Sequence, residues 1–381
     1  MKILHICLNG PYTEGLNYQE NLLTKFQKKE GHDVFIIASE WMWNKEGKIQ
    51  QVINKKYVND NGVTVYRIPI KKNKNVFYSF KKYEDFYSII HDIKPEIIFV
   101  HGIQFFDIKT IKKYAKKYDV KVYIDNHSDF SNTARTLMKK IFYKTVWKHY
   151  AKLIEPYTIK FWGVLPARVD FLIKMYGLPK QKCDLLVMGA NDEFVKKYSS
   201  EKIKIETRKE LKIKEDEFII VTGGKIDKFK LQTILLMKAV KKINKNIKLI
   251  IFGSIEDEIK NEFEEICDNN KIKYIGWISE EESYKYFSIA NLVIFPGRHS
   301  VYWEQVVAMG IPMVCKYWEG TTHIDIGGNV IFLHEDTIEE MENIIIKLFE
   351  DKNKYNEILN NAKNKEKNKF LYSSIAIKSI K

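Results

Sequence analysis

The sequence predicts an α/β protein of two Rossmann-like domains facing across a cleft, with a C-terminal helix that crosses back to the first domain. Three observations predict it. Short β-rich apolar runs alternate with amphipathic stretches, the pattern of parallel strands joined by crossover helices. The pattern stops near residue 190 and restarts near residue 218. At 381 residues the chain is longer than one hydrophobic core usually serves.

The elements follow in order. Residues 3–8 read as a strand, then comes the loop Asn9-Gly10-Pro11-Tyr12-Thr13-Glu14-Gly15, then a helix closed by Gly31, then a strand over 34–38. Residues 97–100 and 120–124 are further strands, separated by a lysine-rich helix over 108–117. Residues 188–200 read as the interdomain linker. In the second half, strand 218–221 runs into Gly223-Gly224 and is followed by a helix over 231–244. Strand 248–252 runs into Gly253-Ser254, strand 292–295 into Pro296-Gly297, and strand 313–315 follows Gly310-Ile311-Pro312. The last helix, 373–381, has nothing after it to pack against, hence its expected return. The expected domains are 1–190 with 368–381, and 191–367.

Composition narrows the class. Hydrophobic residues make up 45% and charged residues 29%, a globular balance. Cys7, Cys183, Cys267 and Cys315 lack CxxC or Cys/His ligand spacing, which argues against a zinc site or a disulfide framework and fits a reducing cytosol. The N-terminus is too short and too polar-flanked for a signal peptide, and no run approaches a membrane span. The net charge of +14 falls wholly within residues 1–200, and the remainder is balanced. Such asymmetry speaks about partners.

Chemistry concentrates at strand ends of the second half. Gly223-Gly224-Lys225, with Lys230 following, combines glycines that permit close backbone approach with two lysines able to neutralise a diphosphate. Taken singly, it is also an ordinary βα turn. Further on, Pro296-Gly297-Arg298-His299-Ser300-Val301 leads into a helix, whose N-terminus is an anion site, and Glu304 and Gln305 can reach ribose hydroxyls. Neither half contains GxGxxG, which disfavours a nicotinamide dehydrogenase.

In this order the segments resemble the retaining nucleotide-sugar glycosyltransferases of family 4, which have the GT-B fold. The matching second-half segments are Gly224-Lys225 with Lys230, Phe252-Gly253-Ser254, Tyr274-Ile275-Gly276-Trp277, and Gln305 through Gly310-Ile311-Pro312. The first half matches at Gly10–Gly15, Gly31-His32-Asp33-Val34, Pro95-Glu96-Ile97-Ile98 and His101-Gly102, and Met188-Gly189-Ala190-Asn191 matches ahead of the linker. The resemblance implies donor contacts at Gly223, Gly224, Lys225, Lys230, Gly253, Ser254, Gly276, Trp277, His299, Ser300, Val301, Glu304 and Gln305. It implies an active-site histidine at His127 and acceptor-side positions at Gly15, Asn17 and His101. A nucleotide-sugar, UDP-linked by expectation, is then a substrate, and neither cofactor nor metal is expected. The chain departs from the family at its two glutamates, which the gapless register replaces by Gly297 and Gln305. Glu304 substitutes only if the helix carries one more residue, a turn of about 100°. Lys225 stands where arginine is usual, losing the bidentate fork.

Lys140, Lys144, Lys148 and Lys152 recur every four residues among aromatic and aliphatic neighbours. A lysine face of this kind suits an anionic membrane surface, so the expected location is cytoplasmic and peripheral, with a glycan or lipid-linked acceptor. The rival readings are a nucleotide-sugar-binding relative without catalysis, an epimerase of the same fold, and a basic nucleic-acid-binding protein. The pI of about 9.2 suits the last, but no nucleic-acid motif accompanies it.

Overall fold

In the first unit every residue of the strand Lys2–Cys7 after Lys2 is buried, and so is all of Ile97–His101. Continuous apolar runs of this kind belong to parallel strands covered on both faces. The computed structural model describes residues 1–16, 18–44, 47–71, 81–227 and 231–381. They divide into two units, Met1–Val187 with Tyr372–Lys381, and Met188–Leu371.

The strands of the first unit are β1 (Lys2–Cys7), β2 (Asp33–Ser39), β3 (Trp41–Trp43), β4 (Ile49–Gln51), β5 (Lys56–Val58), β6 (Thr64–Ile68), β7 (Ile97–His101), β8 (Lys121–Asn126), β9 (Thr158–Gly163) and β10 (Cys183–Leu185). All but β3 and β4 form one sheet in the order β10-β9-β8-β7-β1-β2-β6-β5. The chain builds outward from β1 through β2 to β6, then returns to lay β7 on the other side of β1. Pairing is parallel except at the β5 edge. β3 and β4 form a separate antiparallel ribbon.

The second unit holds β11 (Phe218–Gly223), β12 (Ile247–Phe252), β13 (Ile272–Gly276), β14 (Leu292–Phe295), β15 (Met313–Lys316) and β16 (Val330–Leu333). Their order is β13-β12-β11-β14-β15-β16, all parallel, and growth reverses between β11 and β14. Residues 188–200 are not the linker that the sequence suggests. Asp192–Tyr198 is a helix within the second unit, and the Asn191 side chain caps it by accepting from the Glu193 N–H at 3.1 Å. Asn-Asp-Glu is helix-start chemistry, which polarity alone makes look like a linker.

The last helix, Tyr372–Ser379, belongs to the first unit. Tyr372, Ile375 and Ala376 are buried in one cluster with Ile3, Leu22, Leu23, Phe26 and Trp162. The Tyr372 and Phe26 rings stack at 6.3 Å. The Trp162 indole N–H donates to the Ser379 carbonyl and the Tyr123 hydroxyl to the Ile380 carbonyl, both at 3.0 Å. The helix thus covers apolar surface on β1, β7 and the helix Gln19–Lys29. Ile375→Ala should destabilise the first unit by about 2–5 kcal/mol, the cost of a large-to-small change in a packed core. Hydrogen exchange resolved by unit is the measurement, and protection should fall in residues 1–187 and not in 188–371.

Candidate functional site

In an open parallel sheet the ligand crevice lies at the carboxyl ends of the strands where growth reverses. In the second unit that point is between β11 and β14. The strand ends there are held by backbone. Gly224 N–H donates to the Phe252 carbonyl at 3.1 Å, Ile226 N–H to the Ser254 carbonyl at 2.8 Å, and Gly253 N–H to the Gly276 carbonyl at 2.8 Å. Gly224 and Gly253 have φ of +121° and +125°, a region that side chains disfavour. A Cβ on Gly253 would lie 1.9 Å from the Gly224 carbonyl oxygen, so only glycine fits. A Cβ on Gly223 would meet the Phe252 ring at 2.2 Å. The loops after β11, β12 and β13 therefore form one closely zipped rim.

Lys225 is exposed on this rim and already engaged. Its ammonium lies 2.7 Å from Glu256 and 3.8 Å from Asp227, and the hydrogen bond to Glu256 raises its pKa. An incoming anion competes with those carboxylates for it. Lys230 lies outside the described residues. Ser254 is exposed, Gly276 has φ of +91° with open space beside it, and Trp277 is 77% exposed.

The loop after β14 leads through His299, Ser300 and the half-exposed Val301 into the helix Tyr302–Met309, which ends at Gly310 in the left-handed conformation. Both residues that compete for the ribose role are buried, and they part company. Gln305 turns to the helix Glu280–Ser288, donating from its amide to the Ser283 hydroxyl at 2.9 Å. Glu304 lies between two imidazoles, with its Oε1 2.8 Å from His299 Nε2 and 2.9 Å from His323 Nε2. Burial opposes its charge, but the two histidines outweigh that and hold its pKa at about 2. Its Oε2, and Nδ1 of His323, have no hydrogen-bond partner among the described residues. His323 follows β15 in the short helical turn Thr322–Ile324. No spacing in the sequence ties it to His299, and it was not anticipated.

In the first unit growth reverses between β1 and β7. Here His101, read as an acceptor-side residue, is buried and forms part of a polar wire across the sheet. His101 Nδ1 is 2.7 Å from Asp125 Oδ2, and its Nε2 is 3.0 Å from His5 Nδ1. His5 Nε2 is 2.7 Å from Gln27 Oε1, and the Gln27 amide donates to the Ser379 hydroxyl at 3.1 Å. The roles follow by elimination. Gln27 Oε1 only accepts, so His5 donates from Nε2 and accepts at Nδ1. His101 then donates from both nitrogens and is an imidazolium. Burial and the nearby His101 charge push the His5 pKa down to about 3. Burial also opposes charge on His101, but Asp125 outweighs it and the shift is upward. His5 interrupts an apolar run, the one visible sign of this wire in the sequence.

His127 follows β8 with its ring 41% exposed and its Nε2 3.6 Å from Asp125 Oδ2. Its backbone is held by Asn132, whose amide donates to the His127 carbonyl at 2.8 Å. Gly15 turns at φ of +74° with open space around it. Asn17 lies outside the described residues.

Residues 203–365 match the family described as glycosyl transferases, group 1. No curated protein matches the chain in sequence. Solved structures match over nearly the whole length. A glycosyltransferase from Rickettsia africae is 13% identical with a TM-score of 0.69, covering 99% of this chain and 96% of its own. Anabaena Alr3699/HepE, solved with UDP, is 14% identical with a TM-score of 0.69, covering 99% and 98%. A UDP-GlcNAc 2-epimerase from Neisseria meningitidis is 13% identical with a TM-score of 0.62, covering 100% and 99%. These likenesses establish the two-domain GT-B fold.

The His101–Asp125 pair has a signed pH dependence. A raised folded-state pKa contributes stability that is complete below the ordinary histidine value of 6.5 and is lost as pH rises through the folded value. Asp125→Asn should therefore cost about 3 kcal/mol at pH 6, the scale for removing one partner of a buried pair, and less at pH 9. Urea unfolding at the two pH values measures it. A deficit independent of pH would mean that His101 carries no second proton.

Proposed function

We propose that this GT-B glycosyltransferase, with its group 1 domain in the second unit, moves a sugar from UDP to a glycan or lipid-linked acceptor with retention of configuration. One observation carries the reading: the glycine-locked rim of β11, β12 and β13 reaches the sheet's switch point at its β11 end, beside the helix opened by Ser300 and Val301. The UDP bound to the Anabaena protein supports a uridine nucleotide.

In the proposed reaction the bond between the anomeric carbon and the diphosphate oxygen breaks, and its electron pair leaves on UDP. The acceptor hydroxyl forms the new carbon–oxygen bond and gives up its proton to the departing phosphate oxygen. Lys225 exchanges its carboxylate partners for diphosphate oxygens, and the amides at the helix start stabilise the developing charge. His127 contacts the sugar, so His127→Ala lowers turnover more than nucleotide affinity. Lys225→Ala should weaken UDP binding, through loss of a charge-assisted contact. Calorimetry checks this, and unchanged affinity would remove Lys225 from the site. Incubation with UDP-sugar alone separates transfer or hydrolysis, which release UDP, from epimerisation, which does not.

The proposed location is the inner membrane surface. The lysine stripe runs along Leu137–Phe142, the π-helical turn Tyr143–Trp147 and Lys148–Ile154. It divides in two. A Cβ on Gly177, the C-cap of the helix Pro166–Tyr176, would lie 3.5 Å from Lys148 Cε and 3.9 Å from Lys152 Cε. Those two lysines therefore lie against a helix C-terminus, where cations are favoured. All four lysines are exposed, but Lys140 and Lys144 stand beside Leu137, Met138 and Ile141, which are 73%, 79% and 51% exposed. Apolar side chains among lysines suit an anionic bilayer. Reversing Lys140 and Lys144 to Glu should release the protein from anionic liposomes in a low-salt flotation assay, each charge counting for about 1 kcal/mol. Reversing Lys148 and Lys152 should lower stability instead. Equal release by both pairs would contradict the division.

A further inference from the structure

Glu304, His299 and His323 come from three points in the chain: the first turn of a helix, the loop before it, and the turn after β15. The three ligand atoms, one from each side chain, lie within 4.8 Å of one another, and the only such group among the described residues is this one. The side chains are 0%, 13% and 4% exposed. We propose that these three residues bind one divalent transition-metal ion of the Zn2+ class. The proposal is independent of the sugar-transfer reading.

A buried carboxylate held only by hydrogen bonds is expected to spread its partners over both oxygens. Here both imidazoles point Nε2 at the same oxygen, while Oε2, equally buried, has no partner among the described residues; Asp125 also has a bare oxygen, but only at Glu304 do three ligand atoms of this kind lie within 4.8 Å of one another. Ligand atoms about 2.0–2.2 Å from a tetrahedral zinc ion are separated by about 3.3–3.6 Å. The observed separations of 2.8 and 2.9 Å are hydrogen-bond distances, which an ion would open by about 0.5 Å as it replaces the hydrogen bonds. The donor set also discriminates between metals. Two imidazoles and one carboxylate suit zinc, cobalt or iron, whereas magnesium and calcium prefer all-oxygen sites. Binding at Nε2 replaces the hydrogen bonds to Glu304 and leaves each ring proton on Nδ1, which in His323 has no partner among the described residues. With three protein ligands, at least one position stays open to water or to a phosphate oxygen. The family resemblance implies no metal, and the lack of cysteine spacing points the same way; the site is built from side chains that neither signal covers.

The test uses the full chain stripped with EDTA and titrated with Co2+. The expected result is saturation at one equivalent, with visible absorption of a four- or five-coordinate ion that Zn2+ abolishes and Mg2+ does not. His299→Gln and His323→Gln should each weaken binding more than about 100-fold, beyond the loss typical of an outer-shell change. Because His299 is a partly exposed loop residue, its variant carries the test if His323→Gln fails to fold. No saturable binding by the wild type, binding unchanged in the His299 variant, or competition by equal Mg2+ would overturn the site. A UDP titration of the stripped protein run beside it keeps failure here distinct from failure of the nucleotide reading.

Discussion

The pairing of β11 with β14, and of β1 with β7, is the constraint on which both candidate sites depend. Each pairing joins strands that are far apart in sequence, and each leaves the loops on its two sides diverging in opposite directions. In the second unit, glycine is required because three successive loops close on one another before the next helix starts. In the first, the same reversal brings His5 and His101 onto adjacent strands, where a charged hydrogen-bond chain replaces the aliphatic packing expected of a buried sheet.

The two units solve a similar problem with different chemistry. Each buries a carboxylate against two histidines near the carboxyl edge of its sheet. In the first, one imidazole passes the interaction inward through His5 and Gln27, and the other is left partly in solvent. In both, the two histidines lie against one carboxylate oxygen and the other oxygen has no partner among the described residues; in the second, both contacts are within hydrogen-bond distance. A buried carboxylate with a single well-aligned partner is costly, so these pairs are held in place by the surrounding sheets and do not themselves hold the fold together.

Much of this was legible in the residues. Alternating apolar runs located β1, β2, β7, β11, β12, β14 and β15, and glycines at strand ends marked the rim, because parallel strands and tight βα turns leave strong local signals. The short strands β3, β4 and β5 carry no such signal; their pairing depends on neighbours. Residues 188–200 were misread because cap residues and linker residues share a composition. His323 and Ser379 were invisible for another reason. Their roles exist only once the fold has brought them beside Glu304 and Gln27, and no periodicity encodes that. Glu304 and Gln305 are neighbours in sequence, yet their side chains differ in what they meet, which a one-dimensional register does not contain.

The return of Tyr372–Ser379 to the first unit bears on how the chain is made. A ribosome delivers residues 1–187 long before 372–381, so the first unit waits with Ile3, Leu22 and Trp162 lacking their cover while the whole second unit emerges. The interrupted sheet must survive that interval on its own contacts, exposing an apolar patch of the kind chaperones hold. The second unit, continuous in sequence, is free to fold during synthesis, and the first is completed only after it has emerged.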